Sequence, residues 1–199
     1  MREDELATAV VEHVEAAFEE PEIRLEEPYN HYGTRGVVDV FARTAPPERV
    51  TYLAELKADP AVRMASGANE ILRQYRRAER YFFRDDAHDL RTRLGRDGPG
   101  LQLLLLFAPT VRCVEHVFEH RSLYASVDPE RSIDGVPAVR KVAFLVNLGD
   151  APDGGLGFCS VNGDVDVASA AFREAVPGES RLAEALAEAD VDIDGDADA

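Results

Sequence analysis

Three charged residues on two short apolar stretches could do chemistry together. They are Asp39, in Gly36-Val37-Val38-Asp39-Val40-Phe41, and Glu55 and Lys57, in Tyr52-Leu53-Ala54-Glu55-Leu56-Lys57. Lys57 is one of only two lysines in the chain, against twenty arginines. Arginine is a permanently charged planar fork, whereas lysine is a compact ammonium that can lose its proton when its surroundings change. A position that needed only positive charge would be expected to carry Arg in this chain. Two carboxylates beside one ammonium suit a Mg²⁺ ion, which takes oxygen ligands, keeps several waters and shares its shell with a phosphate. The chemistry implied is metal-dependent cleavage of a phosphodiester.

Positioning these groups requires two paired strands. Gly36 to Arg43 and Val50 to Lys57 have the β-branched, apolar composition of strands, and Ala45-Pro46-Pro47-Glu48 between them is a turn. With the turn centred on Pro47, facing residues have numbers adding to 94, which sets Asp39 opposite Glu55 and Val37 opposite Lys57. Directly opposed residues lie about 5 Å apart at Cβ, and Lys57 shares the Glu55 face because side chains alternate along a strand. A one-residue bulge would undo this alignment. The same residues admit a plainer reading, a solvent-facing Glu-x-Lys charge pair and a surface Asp near a turn.

The remaining pattern gives a helix over 4–19 with Leu6, Val10, Val14 and Phe18 on one face, and a strand over Ile23 to Glu27 ended by Pro28. Pro60 breaks the chain, and Ser66 can cap a long helix reaching about Arg84. Leu101 to Ala108 and Val139 to Leu148 read as buried strands, Gly157 to Val161 as a short one, and 111–125 and 168–189 as helical. The order is that of an α/β domain around a central sheet.

The Gly36–Asp39 segment, the Tyr52–Lys57 segment and a following helix carrying Gln74 resemble the PD-(D/E)XK nuclease superfamily over roughly residues 5 to 110. The resemblance implies a restriction-endonuclease-like fold. Its α-β-β-β-α-β core has a central mixed sheet flanked by helices, here with a C-terminal elaboration. It implies Mg²⁺ or Mn²⁺ held by Asp39, Glu55 and the backbone carbonyl of Leu56. Lys57 would orient or deprotonate the attacking water or stabilise transition-state charge, and Gln74 matches the glutamine of the RecB-like branch. Val38 replaces that family's proline, and Ala78 stands where the RecB-like branch has a tyrosine, with Tyr75 and Tyr81 nearby. Members often add a glutamate from the first helix; Glu5, Glu12 and Glu15 are available, and helical phase does not choose among them. The domain expected is a single one over 1–189, with its core at about 4–125 and the elaboration at about 126–189, then an acidic disordered tail over 190–199.

The net charge of −16 argues against a protein that coats DNA and reads as adaptation to a high-salt interior, in a halophile of the haloarchaeal type. Within that acidity Arg73, Arg76, Arg77 and Arg80, continued by Arg84, Arg91, Arg93 and Arg96, form a basic stripe fit for a phosphate backbone or for pairing with Glu70, Glu79, Asp85 and Asp86. The expected partner is nucleic acid, DNA in the first instance, with a homodimer open. With no signal peptide and no long apolar run, the expectation is a cytoplasmic protein without membrane contact. Two alternatives come from other classes: a non-cleaving nucleic-acid- or protein-binding module on the same fold, and a zinc peptidase built on His116-Val117-Phe118-Glu119-His120, an H-x-x-E-H pattern.

Overall fold

A computed structural model describes residues 1–31, 33–44, 50–63, 67–82, 100–133, 136–147, 156–163, 170–189 and 191. The proposed cap Ser66, the arginines from Arg84 to Arg96, Asp85, Asp86, the 45–48 turn and nearly all of the acidic tail lie outside the described residues.

The first helix, α1 (Glu3–Ala17), precedes three strands, β1 (Glu22–His31), β2 (Thr34–Arg43) and β3 (Val50–Lys57). Helices α2 (Asp59–Val62) and α3 (Gly67–Phe82) lead to β4 (Gly100–Phe107). Helices α4 (Val111–Glu119) and α5 (Arg121–Ala125) follow, then β5 (Glu130–Ile133), β6 (Val136–Asn147), β7 (Leu156–Ser160), α6 (Ala170–Ala175) and α7 (Arg181–Glu188). The strands make one mixed sheet in the order β1-β2-β3-β4-β6-β5, with β7 also on β6. β3, β4 and β6 run parallel, while β1, β2, β5 and β7 are antiparallel to their neighbours. This is the α/β architecture expected from the chain, a helix-flanked sheet of the restriction-endonuclease-like kind.

The apolar run of β4 is buried because it lies between two parallel neighbours and is covered on both faces. Leu103, Leu105 and Phe107 share a face with Leu53, Glu55 and Lys57, and all three are fully buried. On that face α3 is fastened by the Tyr75 hydroxyl, which donates to the Leu103 carbonyl at 3.0 Å, and by the Glu79–Arg140 ion pair at 2.7 Å. Phe107 meets Tyr124 of α5 there, and Phe144 meets Phe172 of α6. On the opposite face α1 buries Leu6, Val10 and Val14 and sets Phe18 against Tyr52 and His13 against Phe158.

Several elements depart from the sequence pattern for identifiable reasons. β1 continues through Pro28 to His31 because it is an edge strand, where a residue without an N–H removes no needed bond. Pro60 opens a short helix, since the first turn of a helix has no partner for its N–H groups. The 111–125 helix is two helices meeting at His120. β5 and β7 occupy the same edge of β6, at its two ends. Between them the buried Asn162 side chain stands in for strand backbone: its Oδ1 accepts from the Val142 N–H at 2.7 Å, and its Nδ2 donates to the Val127 and Arg140 carbonyls.

Candidate active site

The observed β2–β3 register is the one that places Asp39 beside Glu55. Val40 pairs with Ala54, Phe41 with Leu53, Ala42 with Tyr52 and Arg43 with Thr51, and the ladder stops at Val40. Asp39 therefore sits one step beyond the last pair, at the carboxyl end of β3, where ligand crevices of parallel sheets form. Its side chain takes over from the ladder: Asp39 Oδ2 accepts the Leu56 N–H at 2.6 Å. Within a strand a residue's N–H and C=O point to the same side, so the Leu56 carbonyl opens toward Asp39 as well. Lys57 points its own carbonyl the other way, to the Ala108 N–H at 2.9 Å.

Glu55 and Lys57 are 5% and 7% exposed, and Lys57 Nζ lies 3.4 Å from Glu55 Oε2. A solvated charge pair would not be so enclosed, which removes the plainer reading of Glu-x-Lys. Burial raises the Glu55 carboxyl to about 7; Lys57 opposes that rise, and Asp39 adds to it. Burial also raises Asp39, against the lowering effect of the Leu56 N–H and of Lys57. Buried Glu55 and half-buried Asp39 thus resist ionisation side by side, a repulsion that a cation between them would relieve.

A cavity of about 350 Å³ opens beside Lys57, lined also by Glu3, Pro60, Ala61, Gly67, Glu70, Ile71 and Gln74. Gln74 thus faces the Lys57 cavity, and its Nε2 donates to Glu70 Oε1 at 3.3 Å. The first residues of α1 and of α3, Glu3 and Gly67, both stand at its rim, so two helix amino ends, each a focus of positive potential, converge there.

Among the acids of α1, Glu3 lines the Lys57 cavity. Its carboxyl is raised chiefly by burial, with Lys57 and Asp39 within electrostatic reach and a bond from the Ala58 backbone. Of the other acids on α1, Glu5 closes a capping box on the Arg2 N–H, and Glu12 and Glu15 lie further along the helix. The signal was present in the phase of the helix. Glu3 stands three residues before Leu6 and seven before Val10, in line with the buried stripe at its exposed end.

Arg73, Arg76, Arg77 and Arg80 line a second groove, of about 390 Å³, with Asn69, Leu72 and Leu123. It runs along α3 beside the Lys57 cavity, and Glu70 stands at the seam, bonded to Arg73 at 2.6 and 2.7 Å. Those bonds hold the Glu70 carboxyl below its usual range.

The H-x-x-E-H residues do other work. His116 is buried against Phe107 and shares a 2.8 Å hydrogen bond with the Tyr124 hydroxyl, and burial lowers it to about 4. Glu119 points to solvent, and the helix ends before His120. Among the described residues no three His, Cys, Asp or Glu side chains gather into a metal cage. This geometry lends the zinc-peptidase reading no support.

The model of a PD-(D/E)XK nuclease superfamily domain matches residues 1–190. The chain belongs to that superfamily. Membership implies a nuclease that hydrolyses phosphodiesters of nucleic acid, with divalent metal ions the usual helpers of such enzymes. Comparison with curated proteins and with solved structures finds no match. No helix among the described residues is long and apolar enough to cross a membrane.

Proposed function

We propose that this superfamily member is a metal-dependent nuclease acting on DNA, with Asp39, Glu55, Lys57 and Gln74 at its active site. One observation carries the reading: Glu55 and a rare lysine are buried together at the end of β3, beside a half-buried Asp39 that accepts the Leu56 N–H at 2.6 Å. The donors available are all oxygens, from Asp39, Glu55 and the Leu56 carbonyl, a set that suits Mg²⁺ or Mn²⁺ rather than a soft metal. A divalent cation held there supplies Lewis acidity toward a phosphoryl oxygen and lowers the pKa of a bound water. Lys57 holds its ammonium beside Glu55, placed to orient the attacking water or to balance charge on the transferring phosphoryl group. Gln74 lines the same cavity and offers an amide to the substrate or the water. Residues 1–189 are read as one domain, working in a salt-rich cytoplasm to which the −16 net charge is suited.

The test is cleavage of single- and double-stranded DNA and RNA in high potassium salt, with Mg²⁺, with Mn²⁺ and with chelator. Metal-dependent cleavage of DNA is the expected result. Metal-independent binding without cleavage anywhere on the panel would leave the non-catalytic binding module as the better reading.

The Arg groove is proposed to hold the phosphate backbone. Neutralising Arg76 and Arg80 together, both exposed on α3, is expected to weaken binding about equally for all sequences. The slope of log K against log salt should become shallower by roughly one unit per lost contact. Circular dichroism at each salt concentration checks that the variant stays folded, and an unchanged slope would mean the groove does not carry the backbone.

A further inference from the structure

Among the described residues, two that are not glycine have positive φ. Glu20 stands in the bend between α1 and β1, whereas Glu26 lies in the middle of β1, at φ 54°. That left-handed region is disfavoured for any residue with a Cβ and is rare inside a strand. Strain of this kind gathers where a structure over-determines a functional geometry.

Glu26 faces Asp39. The β1–β2 ladder runs from Glu22↔Arg43 to Leu25↔Val40 and resumes from Glu27↔Val38 to His31↔Thr34. The register is the same on both sides of the gap, so no residue is inserted, and the single missing pair is Glu26 with Asp39. On the other side of β2 the ladder to β3 stops at Val40↔Ala54. Asp39 is thus released from both neighbouring strands at one point. The Leu56 N–H, which a continued ladder would direct to the β2 backbone, donates to the Asp39 carboxylate instead.

We propose that Glu26 is a positioning residue, whose left-handed backbone opens the sheet at Asp39 and aims the Asp39 carboxylate at Leu56, and that it acts through its φ angle rather than its charge. The inference rests on the reading of Asp39 as an active-site group. It separates substitutions by their tolerance of positive φ: Gly and Asn accept it, unbranched residues such as Gln and Ala bear the same cost as the native Glu, and β-branched residues such as Val resist most.

The test compares Glu26→Gly, Glu26→Asn, Glu26→Gln, Glu26→Ala and Glu26→Val by two readouts. One is the amide proton resonance of Leu56, displaced by its short bond to a carboxylate in the wild type. The other is kcat and KM for metal-dependent cleavage. Glu26→Val is expected to lose the Leu56 displacement and about a hundredfold in kcat with little change in KM, as befits a displaced reacting group. Glu26→Gly, Glu26→Asn and Glu26→Gln should keep the wild-type resonance and stay within about threefold of wild-type turnover, rescuing what Val removes. If Glu26→Val does not fold, Glu26→Thr, β-branched but polar, takes its place by the same two readouts, with Glu26→Ala expected to stay near wild type. A Gly variant as damaged as Val would assign the effect to the carboxylate and overturn the proposal. So would a Val variant that keeps both the Leu56 resonance and kcat. Wild-type protein that cleaves nothing would instead remove the active-site reading, and the Leu56 resonance would still report on Glu26.

Discussion

Glu55→Gln is expected to abolish metal-dependent cleavage and, in metal-free buffer at pH 8, to make the protein more stable than wild type. The second half follows from linkage. Glu55 titrates near 4.5 in an unfolded chain and near 7 in the folded one, chiefly because burial disfavours its charged form. An acid whose folded pKa is raised supports the fold below about 4.5, and that support is lost as pH rises through 7. A tenfold change in an acid's ionisation constant is worth about 1.4 kcal/mol, so ionising Glu55 in the empty site costs roughly 3 kcal/mol. Glutamine mimics the protonated carboxyl and avoids that cost. The melting temperature should rise by roughly 5 to 10 °C at pH 8. At pH 5, where folded wild-type Glu55 is mostly protonated but the unfolded residue is not, the gain should shrink to roughly 1 kcal/mol, and it should nearly vanish only below about pH 4. Mg²⁺ or Mn²⁺ should raise the wild-type melting temperature at pH 8 and leave that of the variant almost unmoved, because a ligand that binds only the folded state stabilises it. Thermal melts at the two pH values, with and without metal, read all of this. A variant less stable than wild type at pH 8 would mean that the Lys57 ammonium, not desolvation, governs Glu55.

How much of this site could be read from the chain depended on what holds each residue. The closeness of Asp39 to Glu55 was legible because a hairpin's register follows from a count: a centre at residue 47 makes facing numbers add to 94, and the observed β2–β3 pairs obey that sum. β4 was legible because a run such as Leu103 to Phe107 has no polar face and must be covered on both sides. Glu3 was passed over because an acid on an apolar stripe reads as the frayed start of a helix. Only the fold shows that the end of α1 meets the end of β3. Glu26 was invisible in principle. Its residue type gives no hint of a left-handed backbone, which tertiary pairing on either side of the gap imposes.

The same distinction explains β5 and the Asn162 suture. Glu130–Ile133 is too short to show alternation, and its partner is the first part of β6. Asn162 stands just after β7 in sequence, where an Asn reads as a turn residue. Its three bonds to Val127, Arg140 and Val142 exist only because two short strands share one edge of β6 and leave a gap between them. The two grooves flanking α3 fall between these cases. The 3.6-residue period predicts that Arg73, Arg76, Arg77 and Arg80 share a flank, but that Gln74 and Glu70 look into the Lys57 cavity is settled by where α3 lies on the sheet.

Lys57→Arg is expected to lose nearly as much activity as Lys57→Ala, each falling by about 10² to 10⁴ in kcat, the range for a positioned proton-transfer or charge-balancing group. If the position required only a cation, Arg would serve, and in a chain with twenty arginines it would be the residue expected there. The enclosure argues otherwise. Lys57 is 7% exposed, with its Nζ 3.4 Å from Glu55 and its surroundings shaped by Glu3, Pro60, Ala61, Ile71 and Gln74. A guanidinium is wider than an ammonium and prefers to grip a carboxylate with two parallel bonds. Placed here it would close over the Glu55 oxygens, the ones proposed to hold a metal, and would hold a proton too firmly to exchange it with water. The two losses should differ in kind. In Lys57→Ala the Glu55 carboxyl is left beside Asp39 without its neutralising neighbour, so metal should still bind while turnover fails. In Lys57→Arg metal should bind more weakly, because the guanidinium competes for the same oxygens. Isothermal titration with Mn²⁺ separates the two, and single-turnover cleavage measures the chemical step. An Arg variant that turns over within about threefold of wild type, a difference of under about 1 kcal/mol in barrier, would show that charge alone is needed at this position and would remove the argument from lysine scarcity.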